Sequence, residues 1–170
     1  QQFKVVNAQP ITSLVDNLQS EVLLAVFAHP DDEITAVGAL HDAVQRGVKV
    51  HMITATKGEK GTPDIPVSGP QQLGKIREAE VREHGRVLGL SEQLVWSYPD
   101  GGVKHQLAAL GDELATALER IKPDTVITFH PNSGFTGHAD HMAVGLATTL
   151  AVQTHLSEAR LAYITVPNQL

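Results

Sequence analysis

The sequence predicts an α/β fold, a doubly wound (Rossmann-like), mostly parallel sheet flanked by helices, on three observations. Short apolar runs of strand length alternate with longer stretches whose apolar residues recur at helical spacing. The runs are nearly continuous, which suits strands buried on both faces of a parallel sheet. The alternation is also strict, with one longer helical segment between each pair of strand-like segments, as in sheets built from crossover units.

The first twenty residues show no clear pattern. Glu21–Ala28 is the first apolar run and reads as the first strand. Ile34, Val37, Leu40 and Val44 then trace one face of a helix that Gly47 stops, and Val48–Ala55 is the second strand. Lys57–Pro70 carries three Gly and three Pro in fourteen residues. That is too interrupted for regular structure, so the stretch is expected to be a functional loop that closes over the site and is mobile without ligand. Helix formers run from Gln71 to Leu88 and end at Gly89, Gln93–Tyr98 is the third strand, and Pro99–Gly102 is a turn. Leu107, Leu110, Leu114, Leu118 and Ile121 mark one face of the next helix, which leads through Lys122-Pro-Asp124 into the fourth strand, Thr125–Phe129. A loop from His130 to Gly137, a helix from near His138 to about His155, and a strand Leu161–Val166 complete the pattern. With 170 residues and no internal repeat or low-complexity tract, a single domain over residues 1–170 is expected.

Composition narrows the function classes. The chain is 42% hydrophobic and 19% charged, as in ordinary folded soluble proteins. Its net charge is -6 and no cluster of Lys and Arg exceeds two residues, which argues against nucleic acid as a partner. No apolar stretch approaches the roughly 18 residues of a membrane helix, so no membrane span is expected. No basic segment followed by an apolar run opens the chain, so a cytoplasmic location is the expectation, although the chain begins at Gln1 rather than Met. A homo-oligomer is compatible with all of this. There is no cysteine, so a transition-metal site would have to be built from carboxylates and the nine histidines.

In an open parallel sheet, ligands bind beyond the carboxyl ends of the strands where the strand order reverses, here between strands one and four. Strand one delivers His29-Pro-Asp-Asp-Glu33 to that end, and strand four delivers His130 through His141. Taken separately, Asp31, Asp32 and Glu33 are also what a helix N-terminus attracts, and His138-Ala-Asp-His141 also suits a polar first turn. Arrival of both clusters at one crevice favours a site. His29, Asp32 and His141 supply the three N/O ligands that catalytic zinc usually takes, with a fourth position left for water. N/O donors also admit other divalent ions. A nucleotide-binding reading of the same fold fails at the first βα turn, which presents acids in place of a glycine-rich phosphate cradle.

Ala28-His-Pro-Asp-Asp-Glu33 together with Gly137-His-Ala-Asp-His141 resembles the LmbE/PIG-L family of zinc-dependent N-acetylglucosaminyl deacetylases and related amidases. Thr56-Lys-Gly-Glu-Lys-Gly61, Arg77-x-x-Glu80, Tyr98-Pro-Asp-Gly101 and Lys122-Pro-Asp124 follow the same pattern, so the likeness spans roughly residues 21 to 166. The resemblance implies one zinc ion on His29, Asp32 and His141, with Asp31 as general base. It further implies His138 as proton donor or oxyanion stabiliser and Asp140 as the group that orients a histidine. The implied reaction is hydrolysis of an N-acetyl amide on an N-acetylglucosamine-type sugar or conjugate. The alternatives are an amidase acting on a larger thiol-type conjugate and a zinc- or sugar-binding module without turnover; intact Asp31 and His138 argue against the last.

The chain departs from the pattern at three places. His84-Gly85 stands where small residues are usual, and His130-Pro131 where Gly-Pro is common. The chain also ends at Leu170, short of the further strands and helix that usually help enclose the substrate. Glu59, Arg77 and Asp100 are the candidate substrate-binding residues, each with a plainer alternative. Arg77 also suits a solvated helix face with Glu78, Arg82, Glu83 and Arg86, while Asp100 also suits its Pro-Asp-Gly turn. His41, His51, His84, His105 and His155 match no motif and are expected to be structural or surface residues. Acids at the crevice and the lack of a basic cluster predict a preference for neutral substrates over polyanions.

Overall fold

A computed structural model describes residues 20–165. Five strands form one all-parallel sheet: β1 (Val22–Phe27), β2 (Lys49–Thr56), β3 (Glu92–Tyr98), β4 (Thr125–Phe129) and β5 (Arg160–Ile164). Their order is β3-β2-β1-β4-β5, so the order reverses between β1 and β4, as the sequence predicts. Val166, the expected end of the fifth strand, and the first nineteen residues lie outside the described residues. Four longer helices alternate with the strands: α1 (Val37–Gln45), α2 (Pro70–Leu88), α3 (Leu107–Ile121) and α4 (Ala139–His155).

Period-two alternation along β1 divides the core into two layers. Leu24, Val26 and Ala28 face α3 and α4, meeting Leu110, Leu114, Leu118, Val144 and Ala147. Leu23, Ala25 and Phe27 face the other way, against Leu40 and Ala43 of α1 and Val81 of α2. Both faces of the central strand are dry, so its apolar run is continuous.

One expected element changes character. The stripe beginning at Ile34 is broken, because Asp32–Thr35 form a 3-10 turn and α1 starts only at Val37 after a non-helical Ala36. A 3-10 turn advances about 120° per residue rather than 100°. Ile34 therefore leaves the buried stripe and is 72% exposed, while Leu40 and Ala43 keep their place.

Two contacts, one at each end, hold the site-bearing strands in register. α4 crosses β4 closely enough that a Cβ on Gly145 would stand 2.2 Å from the Phe129 carbonyl oxygen. Gly145→Ala should therefore push α4 off the sheet and cost about 1–3 kcal/mol of stability, measured by urea unfolding. At the opposite end, the Asp124 carboxylate accepts the backbone N–H groups of Glu21 (2.7 Å) and Val22 (3.0 Å) and the Ser20 hydroxyl (2.5 Å). Partial burial pushes this carboxyl up, but those donors outweigh it and hold the group below its usual value. Its contribution is present above the unfolded pKa and is lost as pH falls through the lower folded one. Asp124→Asn should thus cost about 1–2 kcal/mol at neutral pH, with the gap to wild type closing below about pH 4.

Candidate metal centre and active site

The carboxyl ends of β1 and β4 meet where Phe27 and Phe129 pack edge to face, ring centroids 5.7 Å apart. The chain leaves β1 into His29 and the 3-10 turn, and leaves β4 into a loop that ends at α4. Topology thus joins the two clusters across more than a hundred residues. His29 Nδ1 lies 3.2 Å from His141 Nε2 and 3.6 Å from Asp32 Oδ2, and His141 Nε2 lies 3.1 Å from Asp32 Oδ1. All three residues are buried.

The outer faces of these groups are occupied, and that determines what points inward. Asp32 Oδ2 accepts the backbone N–H groups of Ala28 (3.0 Å) and His29 (2.8 Å). His141 Nδ1 lies 3.0 Å from the Gly134 carbonyl oxygen, which can only accept, so the ring proton sits on Nδ1 and Nε2 presents a lone pair. The Phe129 ring stacks on His141 at 4.1 Å and holds its plane. His29 Nε2 lies 3.3 Å from both Asp140 Oδ2 and Asp100 Oδ1 and donates to them, so its lone pair is on Nδ1. Two imidazole lone pairs and a carboxylate oxygen therefore face one another. Without a proton or a cation between them this arrangement is repulsive. Tetrahedral N/O ligands at about 2.0–2.2 Å from zinc stand about 3.4 Å apart, close to the 3.2 Å between the two ring nitrogens and the 3.1 Å between His141 Nε2 and Asp32 Oδ1. The donor set fits such an ion.

Electrostatics agree. Burial pulls the His29 imidazole down, but Asp32, Asp100 and Asp140 together raise it above its usual value. Burial likewise pushes Asp32 up, and the His141 and His29 rings outweigh it, holding its carboxyl well below the usual carboxylate range. The acids around His29 thus favour positive charge at this centre, whether a ring proton or a cation carries it. Two other groups of donors share the same histidine: His29 with His138 and His141, and His29 with Asp100 and Asp140. Asp140 is fully buried and its oxygens already accept the N–H groups of Gly101 (2.6 Å) and Val103 (3.1 Å). Asp100 Oδ2 accepts the Lys60 N–H (2.9 Å). These two acids therefore hold the His29 ring through its Nε2, the nitrogen turned away from His141.

Of the other predicted catalytic residues, Asp31 precedes Asp32 in the same turn and His138 borders the centre. Asp31 is at the N-terminus of the 3-10 turn in a left-handed conformation (φ 102°) and makes no side-chain cap bond. The helix-capping alternative therefore does not describe it. Its carboxylate pairs through Oδ2 with Arg77, whose guanidinium also donates to the Pro30 carbonyl (2.6 Å) and the Gly58 carbonyl (3.4 Å). His138 does cap a helix, since its Nδ1 accepts the Asp140 N–H at 3.2 Å at the start of α4. Its ring lies 4.8 Å from both the His29 and His141 rings, centre to centre, and is exposed. Burial, then the neighbouring His29 and His141, lower its pKa.

The three candidate substrate-binding residues are engaged with protein groups. Arg77 is committed to the Pro30-Asp31 turn, Glu59 Oε1 accepts the Asp100 N–H at 2.9 Å, and Asp100 faces His29. The Lys57–Pro70 loop is accordingly tied down in its first part. Arg77 Nη1 would stand 2.8 Å from a Cβ on Gly58 and 2.5 Å from one on Gly61, so the loop passes directly over the guanidinium. Two residues escaped the sequence reading. Glu33 is buried, and His84, expected to be a structural or surface residue, is hydrogen-bonded to it at 2.6 Å. A signal existed, because His84 follows Arg77 by seven residues and therefore lies two turns along the same face of α2.

Comparison with known proteins agrees with this geometry. Residues 24–152 match the sequence model of the family described as PIG-L, GlcNAc-PI de-N-acetylase. The chain is 33% identical to the 1D-myo-inositol 2-acetamido-2-deoxy-alpha-D-glucopyranoside deacetylase of Mycolicibacterium vanbaalenii, over 88% of this chain and 60% of that protein. Among solved structures, the N,N'-diacetylchitobiose deacetylase of Pyrococcus horikoshii superposes with a TM-score of 0.71 at 26% identity, covering 79% of this chain and 50% of that one. The conserved protein TT1542 from Thermus thermophilus gives 0.65 at 30% identity, covering 84% and 62%. The chain thus spans less than two thirds of each of these relatives. No helix among the described residues is long and apolar enough to cross a membrane.

Proposed function

The chain belongs to the PIG-L family, and from that premise we propose that it hydrolyses the N-acetyl group of an N-acetylglucosamine-type sugar or sugar conjugate at a zinc ion held by His29, Asp32 and His141. The observation that carries the reading is the approach of two imidazole lone pairs to within 3.2 Å of each other beside the Asp32 carboxylate, whose Oδ1 lies 3.1 Å from His141 Nε2. Zinc in such a site lowers the pKa of its water to about 7 and polarises the amide carbonyl.

The chain's own residues divide the proton work. Arg77 engages only Oδ2 of Asp31, so the carboxylate can take the proton of the attacking water. His138 spends Nδ1 on the helix cap, which puts its proton on Nε2, the atom able to donate to the developing oxyanion and then to the leaving amine. Asp140 and Asp100 orient His29. Water and amide thereby give free amine and acetate. The hydrogen bonds of Glu59, Arg77 and Asp100 favour a supporting role in shaping the crevice over direct contact with sugar hydroxyls.

The test is amine release from a panel of N-acetylated sugars and conjugates by the zinc-loaded protein. Release from N-acetylglucosamine conjugates, abolished by a chelator, is the expected result. Full zinc occupancy with no amine from any member would replace the hydrolase by a binding module. Within the panel, a neutral conjugate should be turned over faster than its highly phosphorylated analogue, because the crevice gathers Asp31, Asp32, Asp100 and Asp140. The ratio of kcat/KM for the two substrates checks this.

A further inference from the structure

We propose that His84, on α2 and outside the metal-ligand set, is a positioning residue for the Asp31 carboxylate, acting through Glu33. The inference rests on the reading of Asp31 as the base, but the contacts that carry it are independent of that reading. Glu33 has a buried carboxylate with both oxygens committed: Oε2 accepts the Asp31 backbone N–H at 3.0 Å, and Oε1 accepts from His84 Nδ1 at 2.6 Å. Asp31 lies in the left-handed region, uncommon for any residue with a side chain, so contacts that hold it there bear on where its carboxylate stands. Glu33 supplies part of that constraint at the backbone, and Arg77 supplies the rest at the side chain. α2 thus grips Asp31 twice from one face, with buried Val81 between the two contacts.

Removing the imidazole would leave Glu33 Oε1 without this donor in a buried place. The carboxylate would then turn toward water and release the Asp31 N–H. Misplacement of a reacting group by about 1 Å can cost about 10²-fold in rate. The His84 side chain is 37% exposed, so its truncation opens no buried cavity and a merely structural penalty would be small.

The experiment compares His84→Ala and His84→Asn in the zinc-loaded protein. Asparagine keeps an N–H donor at nearly the distance of Nδ1 from the backbone. The expected result is a kcat reduced about 10- to 100-fold in His84→Ala, with KM, zinc content and Tm unchanged, faster hydrogen exchange at the Asp31 amide, and recovery of both in His84→Asn. Wild-type kcat and wild-type exchange in His84→Ala would overturn the proposal. So would equal losses in both variants that track Tm or zinc content, since that marks a structural role. If the wild type releases no amine from any substrate, the deacetylase reading fails by itself, and exchange at Asp31 alone decides the role of His84.

Discussion

His141→Ala should strip the metal and abolish amine release together. The substitution removes one of the three proposed ligands and leaves Gly134 and the Phe129 ring facing a hole where the imidazole stood. Loss of a supporting contact behind a ligand typically weakens metal binding by about 10- to 100-fold, so loss of the ligand itself should exceed that. Zinc content after dialysis and kcat/KM on the same preparation are the readouts. A variant that retains a full equivalent of zinc would show that His141 is not a ligand.

Asp31→Asn should behave oppositely in one respect, keeping its zinc while losing rate. General acid-base assistance is worth about 10² to 10⁴, or roughly 3–5 kcal/mol at 1.36 kcal/mol per decade, and kcat should fall by that factor. Asparagine is the informative substitute because it tolerates the left-handed backbone at this position as well as aspartate does. Its amide also cannot take up the proton that a carboxylate can. Because Asp31 caps no helix end with its side chain, the loss of a cap is not available as an explanation of the effect. A zinc-loaded, fully active variant would end the general-base assignment.

The fold was legible in the sequence because each element carries its own local signal. The continuous apolar run of β1, the Leu110-Leu114-Leu118 stripe of α3 and the glycine stop at Gly89 all reappear as elements. The β1–β4 reversal carries no local signal and came from the doubly wound class alone; the sheet has that order, and with it His29 and His141 meet. Illegible features depended on geometry that no local pattern encodes. The change of helical twist at Asp32–Thr35 turned Ile34 outward. The commitments of Arg77, Glu59 and Asp100 arise from contacts 40 or more residues away in sequence, Arg77 with Asp31 (46 apart), Asp100 with Glu59 (41) and Asp100 with Lys60 (40). A side chain that suits a solvated helix or a turn by composition alone can be claimed by such a partner. The Glu33-His84 pair, 51 residues apart, is of the same kind.

Zinc is expected on the Nδ1 side of His29, between that nitrogen, His141 Nε2 and Asp32. Anomalous scattering at the zinc edge from crystals of the zinc-loaded protein locates it. A peak among those three groups is expected, with Asp100 and Asp140 remaining hydrogen-bonded to His29 Nε2. A peak on the opposite side of the ring, bound by His29 Nε2, Asp100 and Asp140, would contradict it and would move both the ligand set and the assignment of the base.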